Sequence, residues 1–339
     1  MRDSCGVDCI GRLIGAREAG CGNHVIVITE HALPEAYIRI EERFHMATVR
    51  ASTLLNPVAS LKNILFATDF SEASMKAFPY AASMAQKFGA SLFACHIITP
   101  TSLVTAAPQS APYFYEAEYE AAAKELDNIL HSPQLEGIKT KALLSSGILG
   151  DALQDEINQN HIDLIVAGTH GRTGLRRLLL GSAVEGICRV ATCPVLTVGP
   201  DHPASRIKLD NILVPTDLSE ESLRSLPFVV RVASAYGAKV TVLHVLPEET
   251  ASNPDTQKLS EPVRGNMIHI FEPRLAPLKA EYVIESGETV ETILKVARDK
   301  NADMIMLGVR DAFLPGVHVR TSVAYRIMAA SHCPVVSCR

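Results

Sequence analysis

Apolar positions along this chain follow two rhythms. Short unbroken runs such as Asn63–Thr68 alternate with longer stretches in which apolar residues recur every three or four positions. An unbroken run of that length predicts a parallel strand covered on both faces. The spacing of Ala77, Ala81, Met84 and Phe88 predicts a helix capped by Ser71 and running to about Phe88, with one face on the core. Pro79 falls inside that helix and removes one of its hydrogen bonds, so a bend is expected there. The alternation continues with a strand over Ser91–Ile98, a loop holding Pro100, Pro108 and Pro112, and a helix near Tyr113–His131. Strand Ile138–Ser145, helix Leu149–Asn160, strand Asp163–Gly168, a long loop, helix Ser182–Ala191 and strand Val195–Val198 complete the series. Five strands joined by helices imply an α/β fold, a doubly wound parallel sheet with right-handed crossovers.

The whole rhythm then repeats. Asn63-Ile64-Leu65-Phe66-Ala67-Thr68-Asp69-Phe70-Ser71-Glu72 returns as Asn211-Ile212-Leu213-Val214-Pro215-Thr216-Asp217-Leu218-Ser219-Glu220, an offset of 148, and His96 returns at the same offset as His244. Further on the offset falls to 140, so that Gly168 answers to Gly308 and Cys193-Pro194-Val195 to Cys333-Pro334-Val335. The shortfall must lie between the second strand and the fourth. Residues 61–199 and 209–339 are thus two copies of one domain, linked through Gly199–Lys208. Pro227 matches Pro79, so the bend is expected twice. In the second copy Asn253–Asn266 is interrupted by proline, and its second helix is expected to be short. Residues 1–60 share no pattern with either copy and read as a poorly ordered extension or the product of an upstream start.

Composition narrows the partners. With 47% hydrophobic and 20% charged residues the chain reads as soluble and globular, and its net charge of −5 gives no footprint for nucleic acid. The apolar runs are strand-length, far short of the ~20 residues of a membrane span, and no basic-then-apolar leader opens the sequence. The eight cysteines form no C-x-x-C pair, and several fall inside strand or helix patterns. They are expected to be buried thiols of a cytoplasmic protein, without a zinc site.

Candidate chemistry collects at two strand ends, where open parallel sheets bind ligands. The first strand ends in Thr68-Asp69. The fourth runs into Gly168-Thr169-His170-Gly171-Arg172-Thr173-Gly174, and that loop reaches Gly181-Ser182 immediately before a helix. Gly168 and Gly171 are expected to turn with positive φ and let the backbone approach a ligand. At a helix amino terminus, unpaired N–H groups and the dipole favour phosphate, with Ser182 as both cap and hydroxyl donor. No Gly-Lys-Ser/Thr closes the loop, so it is not a P-loop. Asp69 could instead simply cap the helix after it, His96 reads as a core strand residue and His170 as a loop residue, and Arg172, Arg176 and Arg177 read as a solvated loop face or as a screen for phosphates.

Gly168, Gly171, Gly181 and Ser182 match the G-x2-G-x9-G-(S/T) pattern of the universal stress protein family, and residues 61–339 as a whole resemble its tandem form. The resemblance implies two five-stranded sheets, each ordered 3-2-1-4-5, which sets the ends of the first and fourth strands side by side. It implies an adenine nucleotide, ATP, with Asp69 on the ribose or adenine and the Ile97 backbone facing the base. The amides of Ser182 and Ala183 would hold phosphates bridged by Mg²⁺ or Mn²⁺. In the second copy Gly171 becomes Asp311 and Gly181 becomes Thr321, which leaves only Gly308 and Ser322. A carboxylate among phosphates disfavours binding, so one working site per chain is expected. The resemblance further implies pairing of Val195–Val198 with Val335–Cys338 inside one chain, and a possible homodimer. The function implied is a nucleotide-responsive regulator of the stress response and not a dedicated catalyst. A pairing scaffold without nucleotide, or an ATP-dependent enzyme of the same broad fold, are the alternatives.

Overall fold

The computed structural model describes residues 61–99, 111–169, 180–200, 207–248, 254–309 and 322–339. Expectations for residues 1–60, His170, Gly171, Arg172, Arg176, Arg177, Asp311 and Thr321 lie outside them. The first half runs β1 (Asn63–Ala67), α1 (Glu72–Met75), α2 (Phe78–Phe88), β2 (Ser91–Ile98), α3 (Ala111–Leu130), β3 (Thr140–Ser146), α4 (Leu149–Gln159), β4 (Leu164–Gly168), α5 (Ser182–Val190) and β5 (Val195–Val198). The second runs β6 (Asn211–Pro215), α6 (Glu220–Arg224), α7 (Leu226–Tyr236), β7 (Lys239–Leu246), α8 (Pro254–Leu275), β8 (Ala280–Ser286), α9 (Thr289–Asp299), β9 (Met304–Gly308), α10 (Val323–Ala330) and β10 (Val335–Cys338). The offset is still 148 at β7 and already 140 at β8, so the shortfall sits in the connection that contains α8.

Each half folds its strands in the order 3-2-1-4-5, and the halves join into one sheet, β3-β2-β1-β4-β5-β10-β9-β6-β7-β8. Every pairing within a half is parallel. At the seam β10 runs antiparallel to β5, with Val336 opposite Leu196. Thr197 Oγ1 donates to the Val335 carbonyl at 3.1 Å across it. Successive strand residues face opposite sides of a sheet. Leu65, Ile165, Val195, Ile305 and Val335 therefore share one core with Ile187 of α5 and Ile327 of α10, and this core is continuous through the seam. On the other side Phe66 meets Phe78 of α2, ring centres 5.5 Å apart. There α2 also touches the second half: Ser83 Oγ lies 2.9 Å from the Tyr236 hydroxyl, and Lys87 Nζ sits 5.3 Å from the centre of that ring.

Two expectations about helices need correcting. The helix expected from Ser71 to Phe88 is two helices, α1 and α2, and Pro79 lies in the first turn of α2. A proline there gives up an N–H that has no intrahelical partner, so it starts a helix and bends none. Pro227 does the same for α7. The second correction concerns α8. Expected to be short, it spans 22 residues with Pro262 and Pro273 inside it. Val263, Met267, Ile270 and Phe271 recur at helical spacing on one face, and all four are buried. An interior proline costs roughly 3 kcal/mol. Burying a side chain of this size gains about 1.5–3 kcal/mol, so the four together offset both prolines.

Among the described cysteines, Cys95, Cys188, Cys333 and Cys338 are buried, and Cys193 is half-buried. Burial pushes the thiols of Cys95, Cys188, Cys193 and Cys338 up to about 12 and that of Cys333 to about 11. At pH 8 only about one in 10,000 of a thiol with pKa 12 is ionised, and the thiolate is the nucleophile. Iodoacetamide at pH 8 should therefore leave these five unlabelled in the native protein over hours and label them within minutes in urea. Peptide mass mapping reads the result, and rapid native labelling of any of the five would contradict the burial described.

Candidate functional site

Strand β1 lies between β2 and β4, with Ala67 opposite Cys95 on one side and Ala167 on the other. The chain leaves β1 toward β2 and later returns on the far side as β4, so the carboxyl end of β1 is the point where strand order reverses. Crevices at that point are where such sheets bind ligands. Thr68 and Asp69 follow β1, Gly168 ends β4, and the sheet sets them side by side.

The turn after β1 is held by its own polar side chains. Thr68 is buried, and its Oγ1 accepts the Phe70 N–H at 2.9 Å and lies 3.0 Å from Ser74 Oγ. Asp69 Oδ1 accepts both the N–H and the hydroxyl of Ser71, at 3.1 and 2.6 Å. Ser71 Oγ in turn accepts the Ser74 N–H and caps α1. Asp69 thus braces the cap residue and is not itself the cap. Phe70 adopts φ +63°, a conformation that costs a non-glycine residue of order 1–3 kcal/mol. Its ring lies 4.4 Å from that of His96, whose Nδ1 is 2.8 Å from the Thr68 carbonyl. That contact puts the proton on Nδ1. The second half repeats the device, with Leu218 at φ +64°, Ser219 N–H on Asp217 Oδ1 at 3.0 Å and His244 Nδ1 on the Thr216 carbonyl at 2.9 Å. Since both halves build the turn, it belongs to the fold whether or not a glycine loop stands beside it.

Beyond β4 the chain departs from Thr169 and returns at Leu180. Thr169 N–H bonds the Val198 carbonyl and its own carbonyl accepts the Gly181 N–H, each at 2.8 Å. Both ends of the intervening loop are therefore pinned over the carboxyl ends of β4 and β5. Thr169 and Leu180, both buried, were not singled out from sequence, because nothing in the loop pattern marks residues whose part is played by main-chain atoms. Gly168 does not turn with positive φ as expected. A Cβ there would lie 2.7 Å from the Ala73 carbonyl oxygen and 2.8 Å from Ser74 Cα, so this glycine lets α1 sit against the strand end. Gly308 stands under α6 in the same way.

Helix α5 begins differently from its counterpart. Its cap is Gly181, extended at φ −63° and ψ 145°, with no side-chain hydrogen bond. Ser182, expected to be the cap, is the first helical residue, and Ala183 follows it. The N–H groups of such a first turn have no carbonyl partner within the helix. In the second half α10 starts one residue later, and Ser322 caps it by accepting the Tyr325 N–H at 3.2 Å. Beside that end Arg326, at the position of Gly186, bonds Glu288 at 2.9 Å. The Glu288 carboxyl is held below the usual carboxylate range first by the Glu291 N–H and then by Arg326. The first turn of α10 is thus capped by the Ser322 side chain, whereas the cap of α5 is a glycine with no side chain to offer. Strand β2 overruns β1, so Ile97 pairs with Ser145 of β3 and has no β1 residue opposite it. Thr68, Asp69, Ile97, Gly168, Gly181, Ser182 and Ala183 hence all lie on the carboxyl-end side of the first half. No trio of His, Cys, Asp or Glu side chains that could hold a metal ion occurs among the described residues, and no described helix is long and apolar enough to cross a membrane.

Comparison with known proteins agrees with this architecture. The family model for the universal stress protein family matches residues 60–199 and again 208–339. Universal stress protein MJ0531 of Methanocaldococcus jannaschii is 31% identical over 138 residues, 40% of this chain and 81% of that protein. Universal stress protein A homolog 1 of Coxiella burnetii is 34% identical over 140 residues, 40% of this chain and 95% of that protein. A universal stress protein crystal structure from Archaeoglobus fulgidus superposes with a TM-score of 0.62 at 21% identity, covering 83% of this chain and 99% of its own, which supports the fold. The chain belongs to the universal stress protein family, and it carries two of the family's domains in tandem.

Proposed function

We propose that the chain is a nucleotide-responsive regulator that takes one ATP, in the first half, and acts in the stress response without being a dedicated catalyst. The observation that carries this reading is the contrast between the two loop-following helices. Gly181 itself offers no side-chain acceptor to the first turn of α5, whereas Ser322 offers one in α10. Amides of Ser182 and Ala183, with the positive end of the helix dipole behind them, suit phosphate oxygens. The donor set fits the implied cation only indirectly: with no acidic or histidine cluster described, Mg²⁺ or Mn²⁺ would be carried on the phosphates. Its contribution there is to neutralise phosphate charge. Asp69 would contact the ribose or adenine, and the edge of Ile97 that β1 does not cover would suit the hydrogen-bonding rim of a base.

Calorimetric titration of Mg-ATP into the purified chain tests the reading, with one site per chain as the expected result. An absence of heat at millimolar Mg-ATP would leave the pairing scaffold, which the β5–β10 seam favours, as the better account. Both seam strands already have neighbours on each side, so a homodimer of chains, if it forms, must use another surface.

A second prediction follows from the same contrast. Restoring the glycines of the second half, as Asp311→Gly with Thr321→Gly, should leave the stoichiometry at one. Ser322 would still cap α10, and Arg326 would still be tied to Glu288. Two ATP per chain in that variant would mean that the two loop residues alone closed the second site.

A further inference from the structure

Helix α5 is held at both ends by side chains of the other half. At its entry the Tyr325 hydroxyl, on α10, donates to the carbonyl of Leu180 at 3.5 Å, one residue before the Gly181 cap. Tyr325 and Leu180 are both buried in the core that crosses the seam. At its exit Arg339, just past β10, donates from Nη1 to the Ala191 carbonyl and from Nη2 to the Arg189 carbonyl, each at 3.1 Å. A guanidinium on the last carbonyls of a helix satisfies acceptors that have no intrahelical partner and opposes the negative end of the dipole. At the offset of 140, Arg339 answers to Gly199 and Tyr325 to Glu185, so neither side chain is repeated at the matching position of the first half. The half whose own loop has lost its glycines thus holds the helix that follows the intact loop.

We propose that Tyr325 and Arg339 are positioning residues for the nucleotide site, so that phosphate affinity in the first half depends on contacts made by the second. The inference rests on the reading of α5 as the phosphate helix. Its physical content is linkage through one element. Arg339 and Tyr325 favour an α5 that is fully wound and correctly placed at both ends, and phosphates favour the same state at its amino end. Two influences that stabilise the same state of one element reinforce each other, and the coupling is reciprocal. Tyr325 matters because the Leu180 carbonyl fixes where the chain enters the cap, and a displaced cap would move the amides of Ser182 and Ala183 together. Arg339 matters because the last carbonyls, left bare, would let the final turn fray and the helix shift.

The test compares Mg-ATP with adenosine, which lacks phosphates, in titrations of the full chain and its Tyr325→Phe, Arg339→Met and Arg339→Lys variants, with thermal midpoints measured alongside. Arg339→Met should lose about tenfold in Mg-ATP affinity, within the usual range of coupling between sites. Tyr325→Phe should lose several-fold, adenosine affinity should not change in either, and Arg339→Lys should recover part of the loss. Mg-ATP affinity unchanged in the Tyr325→Phe, Arg339→Met double variant would overturn the proposal. So would a parallel fall of adenosine and ATP affinity in step with the thermal midpoint, since that marks a purely structural contact. A wild-type chain that binds no Mg-ATP would overturn the nucleotide reading itself and the coupling with it, so the wild-type titration tells the two failures apart.

Discussion

Replacing Gly308 by alanine should cost the fold about 3 kcal/mol or more. The added Cβ would collide with the Glu221 carbonyl oxygen and with Ser222 Cα. Both are backbone atoms of α6, so no rotamer change relieves the clash, and the helix must move bodily. Movement would break the 2.8 Å contact between Thr216 Oγ1 and Ser222 Oγ and strain the Ser219 cap. Overpacking of a well-packed interior costs about 1–3 kcal/mol and occasionally more, and a backbone collision this close belongs at or above about 3 kcal/mol. Gly168→Ala should follow it with a smaller loss, since its nearest contacts are 2.7 and 2.8 Å. Urea denaturation of the two variants measures the difference, and a wild-type midpoint for Gly308→Ala would refute this account of the glycine. Of the four motif positions, the second half keeps only Gly308 and Ser322. Each of these has a duty in the fold, one under α6 and the other capping α10.

Gly181→Asp should separate binding from stability. An aspartate is at least as good a cap as glycine, by a few tenths of a kcal/mol, and a carboxylate at a helix amino terminus adds about 0.3–1 kcal/mol. The variant should accordingly unfold at the same temperature as the wild type or a little above it. For Mg-ATP the same carboxylate is adverse twice over. It would accept the N–H groups that phosphate needs, and it sets like charge beside like charge. A hydrogen bond to a charged group is worth about 1.5–3 kcal/mol, so losing one or two amides should weaken Mg-ATP by about a hundredfold or more. Calorimetry and a thermal melt on one preparation decide it. A variant that binds normally would remove α5 from the phosphate site, and one that unfolds would make Gly181 a structural glycine like Gly168.

How much of this was legible in the sequence depends on the range of the interaction. The repeat, the strands and their order followed from apolar periodicity and motif resemblance, because runs such as Ile64–Phe66 and Leu164–Ala167 are buried on both faces and leave an unambiguous pattern. Pro79 was misread because a proline in the first turn and one in the middle of a helix look alike until the helix start is known. The α8 region was misread for the opposite reason: its prolines were given more weight than the stripe of Val263, Met267, Ile270 and Phe271. At the site, the glycine spacing identified the loop but not the reason for each glycine. Gly168 faces α1, and Gly181, not Ser182, is the cap. The contacts of Arg339 with Arg189 and Ala191 join residues 150 and 148 positions apart. No local pattern in the sequence could reveal them.

The seam between β5 and β10 has a consequence for how such a protein can change over generations. Where two identical subunits pair, every substitution appears on both sides of the axis, so neither side can specialise without imposing the same change on its mate. Joining the two units in one polypeptide lifts that constraint. One unit can keep Gly181 as a bare cap while the other accumulates Ser322 as a self-sufficient one, and an arginine at position 339 can face a partner that has only Gly199 in the matching place. Because the mate is tethered, the arrangement also survives dilution. A dimer of separate subunits would fall apart at low abundance, whereas this chain meets its counterpart at a local concentration that its own expression level does not alter.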